Sequence, residues 1–268
     1  MKNTFKKLFI SFTVLSLTAC SSTTMQDNTF AAKENKDFTK YTNQLVVEYA
    51  ENDYTTMHQF FEHPEDYGID VNKVEISLGE FYTDNTEEIK EDQKELNKFN
   101  RSTLDKTQQT IYDELKYENE LSLKAENKKF QYLNNCWSTM SGLHQSLISV
   151  FSEYILRNEK DIQDLITLIN DVPRYTNDVL EYTKKQADKN TLQFDYDSVT
   201  QDIQDVINNK ADSSITSALY NAIDALNLDE EKTTSYKAQV KDAMDTSFFP
   251  SYQDMLDTLT SLQYNVQP

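Results

Sequence analysis

Three glycines and four prolines in 268 residues leave almost no material for hairpins and tight turns. Over most of the chain, apolar residues recur every three to four positions instead, the spacing that puts them on one face of a helix. Helices stable in water must bury that face on one another. The expected fold is therefore all-α, an irregular bundle of about eight to ten helices.

The first stripe is Phe38, Tyr41, Leu45, Val46 and Tyr49, and a second segment starts at Asp53 and stops by Pro64. Glu62 to Glu80 carries Pro64, Gly68 and Gly79 and reads as the one clear non-helical connection. Helices resume at about Asp84. Ser102-Thr103-Leu104-Asp105 is expected to open a long polar-faced helix with Ile111 and Leu115 inward, and Leu143 to Ile155 carries a broad apolar face. Pro173 is expected in the first turn of a new helix carrying Tyr175, Val179 and Tyr182. Asp197, Asp212 and Asp229 are expected to precede the last helices, with a kink at Pro250.

The amino terminus follows a different logic. Lys2, Lys6 and Lys7 precede the apolar run Phe9 to Leu17, which is too short to cross a bilayer and ends in small residues. That pattern is an export signal, expected over residues 1–19. Its ending Leu17-Thr18-Ala19-Cys20 resembles the bacterial lipoprotein box, in which Cys20 would receive acyl chains and become the first mature residue. Two or three such chains hold a protein to a membrane durably, at about 0.8 kcal/mol per buried methylene. Residues 20–36 are polar and aperiodic and read as a lipidated tether, leaving 37–268 as the helical domain. The expected location is the extracytoplasmic face of the cell membrane.

Charge narrows the partners. Losing the three signal lysines takes the formal charge from −19 to −22, which argues against nucleic acid as a partner and gives no attraction to anionic lipid. Lipid would then be the anchor. Cys136 is the one other cysteine, so an internal disulfide is not expected, and a buried, inert thiol is. His144 is the nearest base in sequence, with no orienting third group identifiable.

Constellations that could carry chemistry are few. His58 and His63 are five residues apart, about 140° around a helix axis, and so are expected to be exposed or locally hydrogen-bonded rather than joint metal ligands. Glu62, Glu65 and Asp66 crowd one turn, where neighbouring carboxylates raise one another's pKa. Phe194 to Asp205 starts Asp-x-Asp like a calcium loop but lacks its Gly and terminal Glu, so a capped helix is expected. Phe130, Tyr132 and Trp137 are read as core, with a peptide or glycan groove as the other possibility. No cofactor is expected.

Several stretches resemble one family. FFEHPEDYGID (Phe60 to Asp70) with SLGE after it, LDKTQQTIYDELKYENE (Leu104 to Glu120), the Gly-led helix from Gly142 to Tyr175, and FFPSYQDMLDTL (Phe248 to Leu259) are similar to segments of domain-of-unknown-function family 885. The resemblance runs from about Phe38 to Leu262. It implies kinship with helical, metallopeptidase-like proteins whose zinc-binding His-Glu pair lies in a further half. None of His58, His63 and His144 is followed by Glu, so no zinc ligand carries over. The expectation is a non-enzyme: a lipid-anchored, catalytically silent helical domain, a shortened relative of that family. A peptide- or protein-binding surface lipoprotein is the alternative, and an enzyme whose chemistry the sequence hides is a third. Apolar faces left to water imply self-association or a partner subunit.

Overall fold

A computed structural model describes residues 33–81 and 84–267. Leu17, Thr18, Ala19 and Cys20, the signal at 1–19 and residues 20–32 of the expected tether lie outside the described residues. Among the described residues the fold is all-α, as the spacing implies, with ten α-helical segments and one isolated bridge between Gln193 and Gln267. No described helix is long and apolar enough to cross a membrane.

The chain forms two compact units, one from residues 33–52 and 84–131, the other from 53–81 and 132–267. The first holds α1 (Lys36–Asn52), α3 (Thr86–Leu96) and α4 (Lys106–Ala125). Its core is Phe38, Leu96, Leu104, Tyr112 and Leu115, with Tyr41 and Ile111 packed against it. Phe38 meets Phe99 edge-on, ring centroids 5.1 Å apart. The helix expected to open at Ser102 starts later: Asp105 caps α4 by accepting from the Gln108 backbone N–H at 2.9 Å, and Gln108 completes a capping box. Asp105 wins because Arg101–Thr103 is already spent in a 3-10 turn.

The second unit is built around α6 (Glu159–Asp188), with α2 (Tyr54–Phe60), α5 (Leu143–Ser152), α7 (Tyr196–Asn208), α8 (Ser214–Ala225), α9 (Glu230–Ala243) and α10 (Phe249–Ser261). Ile162, Leu165, Leu168, Ile169, Val172 and Val179 of α6 are all buried. Pro173 starts no new helix; it sits inside α6. A proline there loses one hydrogen bond and strains the turn, at about 3 kcal/mol, but burial of apolar residues on both sides exceeds that cost. Pro250 is accommodated differently. A π-helical turn over Met244–Phe248 joins α9 to α10 and places the proline in the first turn of α10, where its missing N–H costs least.

Candidate functional site

Asp53 accepts from the backbone N–H groups of Thr55 and Thr56 at 2.9 and 3.1 Å, and so starts α2 where the sequence places it. Seven residues later the chain leaves the helix, makes a 3-10 turn over Pro64–Tyr67, and reverses at Gly68, whose φ of 77° suits glycine. Glu62, His63, Pro64 and Glu65 of this connection line a cleft of about 460 Å³. Ile155, Leu156 and Arg157, with Lys160 and Asp161 from the start of α6, line it as well, as do Tyr54 and Val71.

Behind the cleft lies His58, fully buried. This corrects the expectation of an exposed or locally bonded histidine. Its Nδ1 is 2.8 Å from the carbonyl oxygen of Ile155, which can only accept, so Nδ1 carries the proton. Its Nε2, 2.8 Å from Nη2 of Arg157, then accepts from the guanidinium. The Ile155 backbone N–H donates back to the His58 carbonyl at 2.8 Å. The ring is stacked on Tyr154 with centroids 4.4 Å apart and also contacts Tyr54 at 4.6 Å. Burial, reinforced by the Arg157 charge, pushes the imidazole down to about 4, so it stays neutral at physiological pH.

Ion pairs extend the cluster. Arg157 Nε lies 3.0 Å from Asp161, which also accepts the Arg157 backbone N–H at 2.8 Å; the two side chains are only 14% and 5% exposed. Asp164, one turn on, accepts from the Tyr54 hydroxyl and pairs with Lys160. Burial and that carboxylate both hold the Tyr54 phenol far above its usual range. Two buried donors, Arg157 Nη1 and the Tyr154 hydroxyl, have no hydrogen-bond partner.

The other candidates are scattered. His63 is exposed, 3.3 Å from Glu65. Glu65 is held below the usual carboxylate range by its own backbone N–H and by His63, the opposite of what crowded carboxylates do. His144 is buried against Trp137, its Nε2 3.6 Å from Asp202, and burial lowers its pKa. Cys136 is buried, its sulfur 3.7 Å from the Asn134 carbonyl, and burial pushes the thiol up to about 12. Trp137 is core, donating to Thr183 at 2.9 Å, whereas Phe130 is 40% exposed. Tyr132 stacks on Tyr182. Phe194 to Asp205 is largely the helix α7, capped by Asp195.

Among the described residues no three His, Cys, Asp or Glu side chains gather so as to hold a metal ion. The described residues therefore do not fit a zinc site. Reading the sequence missed Tyr54, Tyr154, Arg157, Asp161 and Asp164. Its signal was the spacing of four in Arg157/Asp161 and Lys160/Asp164, which pairs opposite charges along a helix start.

No curated protein and no solved structure matches the chain. A family model does match, over residues 26–267, and the chain thus belongs to the family described as bacterial protein of unknown function, DUF885.

Proposed function

We propose that this is a lipid-anchored extracytoplasmic protein that binds a peptide or protein partner and does no chemistry with its own side chains. The observation that carries the binding part is the cleft beside Arg157, of a size that admits side chains of a partner and rimmed by apolar and charged groups. What supports catalytic silence is how the reactive groups are engaged. His58 uses both ring nitrogens on Ile155 and Arg157, and the Cys136 thiol is held protonated by burial. The anchor rests on the lysines, the apolar run and Leu17-Thr18-Ala19-Cys20. Self-association or a partner subunit belongs to the same reading, supported by Tyr117 and Leu121, four apart on α4 and 66% and 52% exposed.

Each part has its own test. Cells fed radioactive palmitate should label the protein and not its Cys20→Ser variant; an unlabelled parent protein refutes the anchor. Titration with a peptide library should give saturable binding, and a flat response refutes capture of peptides. Turnover of those peptides, with or without added zinc, refutes catalytic silence. A sedimenting monomer at high concentration, with no partner recovered, refutes the assembly.

A further inference from the structure

Two buried donors of the second unit have nothing to donate to. Among the described residues, Arg157 Nη1 and the Tyr154 hydroxyl lack a hydrogen-bond partner. A buried donor left unpaired costs free energy, so two of them against one ring call for an acceptor from outside the fold. That ring is the His58 imidazole: Tyr154, 4% exposed, stacks on it, and Arg157 donates to its Nε2. Arg157 also lines the cleft. Burial above all, then the charges of Tyr54, Asp161 and Asp164, holds the Tyr154 phenol well above its usual range, so it keeps its proton. Tyr54 and Asp161 are themselves lining residues, and the hydroxyl thus shares its electrostatic surroundings with the cleft.

Charge decides what kind of acceptor enters. Arg157 is paired with Asp161 and Lys160 with Asp164, while Glu62 and Glu65 line the cleft as well. An anion would find both cations already matched, on a chain whose formal charge is −19. A cation would set a further donor against the two that lack acceptors. An uncharged carbonyl oxygen, with its two lone pairs, meets both constraints. Pro64, Val71, Ile155 and Leu156 add an aliphatic lining suited to a peptide side chain. Tyr54, the phenol among the lining residues, is only 3% exposed and offers no open face to a sugar ring.

We propose that the cleft takes an uncharged stretch of peptide, whose main-chain carbonyl oxygens accept from Arg157 Nη1 and the Tyr154 hydroxyl. This deepens the binding reading above and rests on it. Both donors are buried, so lining side chains must move as the peptide enters, and association is slower than on an open surface.

The test uses the full-length protein in detergent at about 0.15 M salt, with three fluorescein-labelled, carboxyl-amidated nonapeptides that alternate alanine with glutamine, lysine or glutamate. The glutamine peptide should bind saturably and at least as tightly as the other two. Tyr154→Phe should weaken it about tenfold without lowering the melting temperature, because the hydroxyl removed has no partner in the fold. Tyr252→Phe is the contrast. That hydroxyl donates to the His144 carbonyl, and neither residue lines the cleft, so its loss should lower the melting temperature and change the affinity less than about twofold. A Tyr154→Phe protein that melts lower yet binds as the parent does, or equal losses of affinity from the two variants, overturns the proposal. Tighter binding of the lysine or glutamate peptide removes the uncharged class and leaves the binding reading standing. No saturable binding by any of the three removes both, and maltohexaose bound in their place would point to a glycan.

Discussion

The imidazole of His58 lies flat on the phenol of Tyr154, ring centroids 4.4 Å apart and planes 5° from parallel. A neutral ring is required there, because one nitrogen donates to Ile155 and the other accepts from a guanidinium. Protonation would turn that acceptor into a second donor facing Arg157. The fold thus favours the unprotonated form, while the unfolded chain takes up a proton near pH 6.5. Stability from His58 is fully present above about pH 6.5, is lost progressively as pH falls, and is gone below about 4. His144, lowered in the same direction, adds to the slope. Urea unfolding should show proton uptake that rises as the pH falls from 7 to 5. His58→Gln should remove close to one proton of that uptake at pH 5; an unchanged slope in that variant would contradict a His58 held neutral by the fold.

Arg157 and Asp161 form a nearly buried pair, so removing one partner strands the other. Arg157→Met should cost about 3–5 kcal/mol, since it leaves the Asp161 carboxylate uncompensated and His58 without its donor. Arg157→Lys should recover only part of this, because a lysine has one head group for the two partners a planar fork serves. Arg157→Met combined with Asp161→Leu should cost less than the two single changes added together. Chemical denaturation of the four proteins gives the coupling directly, and strict additivity would show that the pair does not act as one.

Gly142 is confined by close approach, not by an unusual φ. A Cβ there would sit 2.6 Å from the Ser138 carbonyl oxygen and 2.9 Å from its nitrogen, both backbone atoms that cannot swing away. The Gly142 N–H donates to that carbonyl at 2.7 Å, and the Leu143 N–H to Cys136 at 2.9 Å, fixing the start of α5. Gly142→Ala should destabilise by about 1–3 kcal/mol, the usual cost of overpacking. A melting temperature equal to the parent's would mean the Ser138 turn yields freely.

Pro173 should be the reverse case. Replacing it by alanine restores an N–H and relieves the clash with the Ile169 carbonyl, against a modest loss from a more flexible unfolded chain. Pro173→Ala should raise the melting temperature. A fall would show that α6 is bent to the proline and packs only in that shape.

Helix existence was legible along most of the chain because it depends on spacing within a few residues. Asp53 and Asp229, each a capping residue ahead of an apolar stripe, cap α2 and α9. Other starts shifted by one to three residues: Asp195 caps α7 where Asp197 was expected, and Ser213 caps α8 where Asp212 was. In both places several capping residues lie side by side, and the one whose oxygen reaches an open backbone N–H takes the role. Pro173 misled for another reason, since a local penalty of a few kcal/mol is smaller than the burial α6 gains by continuing.

The sequence by itself determined that this chain is helical and that Glu62 to Glu80 interrupts the helices. Those properties follow from composition and from residues three or four apart. Only the tertiary structure decided that Cys136 is buried and its thiol raised, that His58 is buried and neutral, that Arg157 serves it, and that a cleft opens beside them. The partners there are 97 to 110 residues apart in the chain. A hydrogen bond over that separation exists only after packing has closed the intervening loop, so no local pattern encodes it.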